Sequence, residues 1–248
     1  IIPSLWQLRD TDDDGTADES KEAVTGFGLH IGYGGHDMHG LTAGPDGRIY
    51  WSIGDKAFSV TDSNGGHHHF PYHGAVLRCE PDGTNFEVFA KGLRNPQELA
   101  FDEFGHLFVV DNDGDFGDGE RFHYLLEGSD SGWRSYYQYR NNKKLGDVAG
   151  YNALSAENLS KPYFYGQAAN ITPCVANFSE GPAGFTYNPG TALSEALEGH
   201  FFLTEFPGKR LQAFRAEPEG AGYRMMAPEV IFGGQMLVGI NFGPDGAL

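Results

Sequence analysis

The most constraining feature of this chain is a strand-turn-strand unit that recurs along its length. The tripeptide Pro-Asp-Gly stands at 45–47, 81–83 and 244–246, and proline and glycine prescribe a tight turn by their allowed backbone angles. Each unit has two apolar strands and an outer hairpin within roughly 40–60 residues, which is the size of a β-propeller blade. The sequence therefore predicts an all-β, six-bladed propeller of four-stranded blades, with about four blades and partial ends in this chain.

The composition fits one globular domain that is rich in turns. The 248 residues include 36 Gly and 13 Pro, and 40% are hydrophobic, which favours many short strands over helices. We expect residues 1–248 to form a single propeller domain that is incomplete at both ends. The segment 134–181 is rich in Tyr and Asn and breaks the repeat, so we expect an inserted loop there.

The charge of the chain limits its partners. A net charge of −17 opposes binding to nucleic acid or to an anionic membrane surface, and it is compatible with calcium and an extracellular milieu. No apolar run approaches the roughly 18 residues that a membrane span needs. Cys79 and Cys174 allow at most one disulfide.

The first acidic segment, DTDDDGTADES, has the spacing of a calcium loop. Side chains at alternate positions converge on a hard cation in such loops, the glycine makes the sharp turn, and one ligand is a backbone carbonyl. The candidate ligands are Asp10, Asp12, Asp14, Thr16 and Asp18. The alternative is a solvated acidic turn, because the twelfth position is a lysine.

Further polar residues are expected at the rim of the central channel. In a propeller the loops that leave the inner strands gather at one end. His36, Arg94 and Asn95 lie in such loops, and five carboxylates lie between Asp111 and Glu120. An acidic loop of that density repels itself unless a cation or hydrogen-bond donors neutralise it.

A histidine cluster at His67, His68, His69 and His73 is a further candidate metal site. Consecutive histidines on a loop point in different directions. We therefore expect a solvated loop there.

Several motifs resemble a known family. GPDGRIYWSIGD, GLRNPQELAF and EGSDSGW resemble segments of the soluble PQQ-dependent sugar dehydrogenases. LRDTDDDGTADE, GHDMHGL and GPAGFTYNPG are similar to segments of larger bacterial propellers described as membrane-bound dehydrogenases, which often carry a c-type cytochrome domain.

The resemblance implies a site and a mechanism. His36 matches the catalytic base and Arg94 a catalytic partner beside the quinone, where Asn95, Asp113 and Lys209 are also expected to contact the cofactor. Gly114 and Asp115 match the positions that hold calcium. The implied reaction is oxidation of a sugar or other alcohol by hydride transfer to PQQ, with His36 as general base, calcium polarising the quinone and a c-type cytochrome as electron acceptor.

One segment departs from the family. The arginine pair that binds the PQQ carboxylates is replaced in GGQMLVGINFG by Met236 and Val238. Each lost charge-assisted hydrogen bond is worth about 1.5–3 kcal/mol, so we expect this segment to bind PQQ more weakly than the arginine pair of the family does.

Two other functions remain open at this point. One is a calcium-dependent hydrolase such as a lactonase, in which carboxylates and Asn95 hold a metal that activates water. The other is a carbohydrate-binding propeller without activity, which would use the tyrosines of the inserted segment, Tyr136, Tyr137, Tyr139 and Tyr151. We expect the protein to lie in the periplasm or outside the cell.

Overall fold

The computed structural model describes residues 2–30, 32, 34–71, 73–112, 119–133, 172–178, 180–190 and 193–248. These residues form eighteen β-strands and one 3-10 turn at Glu195–Leu197, which confirms the all-β prediction. No helix within these ranges has the length and apolarity needed to cross a membrane.

The described chain begins with a hairpin and continues into a first blade. β1 (Ser4–Arg9) pairs with β2 (Glu19–Thr25). The first blade has strands β3, β4, β7 and β8, which are hydrogen-bonded in that order and span Met38–Ala43, Ile49–Ile53, Gly74–Cys79 and Glu87–Leu93. Between β4 and β7 the chain forms a second hairpin, β5 (Phe58–Thr61) with β6 (His67–Phe70).

Two more four-stranded blades follow. The second contains, in spatial order, β9 (Pro96–Phe101), β10 (Leu107–Asp111), β11 (Glu120–Leu125) and β12 (Ala176–Phe178). The third contains β13 (Pro182–Asn188), β14 (His200–Glu205), β15 (Arg210–Phe214) and β18 (Glu229–Gly233). A hairpin of β16 (Ala216–Glu219) and β17 (Gly222–Met225) precedes β18.

The blades pack face to face through apolar side chains. Strand β10 is buried along its whole length, because successive side chains point to opposite faces and both faces are covered. Leu107 and Val109 join the core shared with the first blade. Phe108 and Val110 join the core shared with the third blade. The inner strands β3, β9 and β13 consequently lie side by side, as the inner strands of a propeller do.

The segment 134–181, which the sequence predicts to be an inserted loop, contributes one strand to a blade. Its residues 134–171 lie outside the described part of the chain, and so do Tyr136, Tyr137, Tyr139 and Tyr151. Strand β12 lies within residues 134–181 and pairs with β11, so the fourth strand of the second blade comes from this segment. The described ranges hold three complete blades, and the number of blades in the ring stays a prediction.

Candidate functional site

A cavity of about 600 Å³ lies where the inner strands begin. His36 comes just before β3, Arg94 and Asn95 come just before β9, and β13 begins at Pro182. Three blades therefore contribute to one opening, as the loop positions predict. The described residues that line it are Gly34, Gly35, His36, His39, Arg94, Asn95, Gln97, Asn112, Gly181, Pro182, Ala183, Phe206, Pro207 and Val238.

His36 is held by a buried aspartate that follows β4. Its Nδ1 lies 2.7 Å from Asp55 Oδ1, and Trp133 donates from Nε1 to Asp55 Oδ2 at 2.9 Å. All three residues are almost completely buried. Because an ionised aspartate can only accept, Nδ1 carries the hydrogen and the lone pair of the neutral ring lies on Nε2.

The surroundings of His36 favour the neutral imidazole. Burial lowers the pKa of His36 below its usual value of about 6.5, and the nearby charges of Arg94 and Lys56 lower it further. The hydrogen bond and negative charge of Asp55 oppose this shift but do not reverse it. At neutral pH the ring can therefore accept a proton.

The turn that carries Arg94 and Asn95 is fixed by Asp111 at the end of β10. The Asp111 carboxylate accepts from the backbone N–H of Asn95 at 2.7 Å and from that of Arg94 at 3.1 Å. Arg121 donates to the same carboxylate from Nη2 at 2.6 Å. Burial raises the pKa of Asp111, while Arg121 and the backbone donors act in the opposite direction. One buried carboxylate thus orients both residues of the turn.

Trp133 connects the two halves of this polar network. The guanidinium of Arg94 lies 5.8 Å from the centre of its ring and that of Arg121 lies 6.0 Å away, distances at which cation–π attraction operates. The indole therefore contacts the aspartate that holds His36 and both arginines. The backbone joins the same residues, since Asp55 donates from its N–H to the Arg94 carbonyl at 2.7 Å.

Gly54 permits the first blade to approach the Arg94–Asn95 turn closely. A Cβ atom at this position would lie 2.8 Å from Asn95 Oδ1 and 2.8 Å from the His36 carbonyl oxygen. The first contact would displace the Asn95 side chain, and the second would displace the backbone that carries His36. A glycine is therefore required where the first blade meets the Arg94–Asn95 turn.

A second part of the cavity lining, called here the apolar wall, carries no charge. It consists of Ala183, Phe206, Pro207 and Val238, and the last of these stands where the sugar dehydrogenases are expected to have a carboxylate-binding arginine. Arg94 is the one permanently positive side chain among the described residues that line the cavity. The two walls thus differ in charge.

The two walls differ in how well they would fit PQQ. The Arg94 guanidinium can donate to an oxygen at the reacting edge of a quinone. The Asn95 Oδ1 atom, which is buried without a hydrogen-bond partner among the described residues, is an acceptor and suits a donor or a cation instead. The described part of the apolar wall offers no cation to a carboxylate. The residues present therefore fit the quinone edge and not the full tricarboxylate.

The other predicted site residues lie in different places. Lys209 is not among the residues that line the cavity; it occupies the turn between β14 and β15 with φ of 52°. Its carbonyl accepts a hydrogen bond from the Gly234 N–H at 2.7 Å. Asp113, Gly114 and Asp115 lie outside the described residues, so their predicted roles in cofactor and calcium binding stay predictions.

The first acidic loop brings three of its predicted ligands together. Carboxylate oxygens of Asp10, Asp12 and Asp18 lie within 4.8 Å of one another, whereas Asp14 is not part of the group and accepts from the Thr16 N–H at 2.7 Å. Backbone donors, above all the Gly15 N–H, lower the pKa of Asp10. Calcium binding by this loop stays a prediction, because the same donors order the loop without an ion.

Sequence reasoning placed Asp111 in the acidic run at the rim but missed Asp55, Trp133 and Arg121 as parts of the site. Asp55 carries a signal that could have been used, since it follows the apolar strand β4, whose end reaches the predicted rim. Nothing local marks Trp133 or Arg121 as neighbours of that rim.

The fold is shared with soluble sugar dehydrogenases of known structure. A glucose dehydrogenase is 20% identical with a TM-score of 0.66, and the match covers 96% of this chain and 67% of that one. Soluble aldose sugar dehydrogenase from Escherichia coli, in its apo-form, is 14% identical with a TM-score of 0.65, covering 98% and 68%. The PQQ-bound aldose sugar dehydrogenase from Streptomyces coelicolor is 19% identical with a TM-score of 0.55, covering 90% and 57%.

At these identities the likeness establishes the fold alone: it confirms the propeller prediction and the resemblance in fold to soluble PQQ-dependent sugar dehydrogenases. The chain spans about two thirds of the length of most of these structures. No curated protein matches the chain in sequence. The family described as a domain of unknown function, DUF7133, matches residues 1–248, and the chain belongs to that family.

Proposed function

We propose that this protein is a dehydrogenase that oxidises a sugar or other alcohol, with PQQ as hydride acceptor and calcium as its metal. The observation that carries the proposal is the arrangement of His36, Asp55 and Arg94 at one cavity. An oriented, neutral imidazole can take the proton of an alcohol, and a guanidinium at the same opening can polarise a polar acceptor. The dehydrogenases that share the fold support the same choice.

In the proposed reaction His36 acts as the general base. Its Nε2 takes the proton of the substrate hydroxyl, and the resulting imidazolium is stabilised by Asp55 through Nδ1–H. The hydrogen on the adjacent carbon leaves with its electron pair, so the alcohol becomes a carbonyl. PQQ and calcium, when bound, supply the hydride acceptor and the Lewis acid that polarises it.

Arg94 and Asn95 would orient the acceptor in this scheme. Both residues line the cavity and belong to a turn that Asp111 fixes, so little ordering is needed when a ligand binds. Calcium at Gly114 and Asp115, cofactor contacts by Asp113 and Lys209, a c-type cytochrome as electron acceptor and a periplasmic or extracellular location belong to the same proposal.

Dye reduction with PQQ, calcium and a panel of aldoses tests the proposal, using the protein at its natural length. We expect turnover that a chelator removes and that His36→Gln lowers by about 10²–10⁴-fold. His200→Gln is the matched control, because His200 lies at the other end of β14 from the cavity. Since the pKa of His36 is lowered, activity should persist below pH 6.5 and fall only as the ring becomes protonated. A protein that reduces no dye with any sugar would contradict the proposal.

A lactone hydrolase is the second candidate, and the uncharged wall at Val238 favours it. The same His36–Asp55 pair would then remove a proton from water, and no tricarboxylate would need to be bound. Hydrolysis of sugar lactones without dye reduction would identify this activity. The non-catalytic alternative rests on tyrosines outside the described residues, and glycan binding without turnover would support it.

A further inference from the structure

The β5–β6 hairpin presents two distinct faces. Phe58, Val60 and Phe70 pack into the first core. His68 lies on the same side, where its ring contacts Phe86 at 5.0 Å and its Nε2 lies 2.9 Å from Asp62 Oδ2. The hairpin is therefore anchored by one face, and the other face is turned to solvent.

The solvent face carries the remaining two histidines of the HHH run. The segment is a strand and not the solvated loop that the sequence predicts, so His67 and His69 point to the same side. Their ring centres are 6.1 Å apart and their planes differ by 8°. The objection that neighbouring histidines diverge therefore does not apply to this pair.

A cross-strand neighbour orients the first of these rings. Thr61 is paired with His67 in the register of the hairpin, and its hydroxyl lies 3.3 Å from His67 Nδ1. When the hydroxyl accepts from Nδ1–H, the lone pair lies on Nε2. Histidines that bind metals are oriented in this way by a partner at their second nitrogen.

We propose that His67 and His69 form a site for a divalent transition-metal ion such as Ni²⁺, Cu²⁺ or Zn²⁺. Imidazole suits these ions, whereas calcium prefers oxygen. A metal lies about 2.0–2.1 Å from each ligating nitrogen, so the rings must turn towards each other, and exposed side chains change rotamer within nanoseconds. The net charge of −17 raises the local concentration of cations.

The site would hold its ion in exchange with solvent. No third His, Cys, Asp or Glu completes the group in the ranges that the structure describes, so water fills the other coordination positions. This separates the hairpin from the proposed calcium loops in both ligand type and location.

Calorimetric titration of the natural-length protein with Ni²⁺ alone tests the proposal. We expect one equivalent to bind, and this equivalent to be lost in both His67→Ala and His69→Ala. His68→Gln is the matched control, because it removes an imidazole from the same strand on the opposite face. Thr61→Val should weaken binding about tenfold, and two equivalent nitrogens should split the electron spin resonance of the Cu²⁺ form.

Three results would overturn the inference. These are a wild-type protein that binds no Ni²⁺, a double His67→Ala/His69→Ala variant that still binds this equivalent, and a His68→Gln variant that loses it. Circular dichroism of each variant separates loss of the ligand from loss of the fold.

Discussion

The two walls of the cavity differ in how their side chains are held. On the polar wall, His36 and Arg94 are at most 5% exposed, and buried groups fix them through Asp55, Asp111 and Trp133. On the apolar wall, Phe206 is 43% and Val238 69% exposed, and neither carries charge. The polar wall is preorganised, and the apolar wall is a contact surface.

Under the proposed function, this difference assigns the chemistry to the polar wall and the selection of the ligand to the apolar wall. Fixed donors and a fixed base lower the cost of reaching a transition state. An exposed apolar wall contributes mainly to binding, and it can change without disturbing the base. Substitutions on the polar wall should therefore affect turnover or folding, whereas substitutions on the apolar wall should affect affinity.

Asp55→Asn should have the largest effect. Asparagine can donate to Nδ1 and place the hydrogen of His36 on Nε2, so kcat should fall by about 10³–10⁴-fold while KM changes little. Because Asp55 raises the pKa of His36, the acid limb of the residual activity should move to lower pH. A pH profile of dye reduction measures both effects.

Asp62→Asn provides the matched control for that experiment. It disrupts another aspartate–histidine contact, with His68, outside the cavity, and should leave the pH profile unchanged. Equal losses of kcat in the two variants would show that the loss does not depend on the contact between Asp55 and His36.

Asp111→Asn should act on folding as well as on turnover. It leaves the buried Arg121 guanidinium without its carboxylate, which costs about 3–5 kcal/mol. Urea unfolding measures the free energy of unfolding. Glu87→Gln is the control, because Glu87 is partly exposed in its ion pairs with Arg48 and Arg78, and such pairs contribute about 0–1 kcal/mol. Similar losses of unfolding free energy in the two variants would contradict the role of Asp111 in fixing the Arg94–Asn95 turn.

Val238→Arg tests the uncharged wall directly. A guanidinium there should strengthen binding of PQQ by about tenfold, the value of one charge-assisted hydrogen bond, and leave the pH profile of His36 in place. Quenching of tryptophan fluorescence measures the affinity, with Val230→Arg on β18 as control. If wild-type protein binds PQQ tightly and the variant binds no better, Val238 does not face the carboxylates.

Much of the fold follows from local signals in the sequence. The Pro-Asp-Gly turns and the apolar runs of β4 and β10 predict strands, because turn geometry and burial depend on neighbouring residues. The HHH run was predicted as a loop, and it is a strand because Phe58, Val60 and Phe70 anchor the hairpin to the core. Strand β12 has three residues in a polar segment and gave no local signal.

The residues of the site also fall into those that the sequence predicts and those that it does not. His36, Arg94 and Asn95 could be placed at the rim from the resemblance and from their positions before inner strands. Trp133 could not, because its bond to Asp55 joins residues 78 positions apart and exists only when the first two blades pack together. Sequence patterns report the groups that face the cavity better than the buried groups behind them.

Phe206→Ala should give the smallest effect, and it tests most directly whether the apolar wall contributes to binding alone. Loss of an aromatic face is expected to raise KM for a sugar by about 2–10-fold, which corresponds to 0.5–1.5 kcal/mol, with kcat and stability nearly unchanged. Phe104→Ala is the control, since Phe104 is 72% exposed in the turn at the far end of β10. Steady-state kinetics decide the outcome: a fall in kcat at constant KM would place Phe206 with the preorganised residues and would erase the distinction between the two walls.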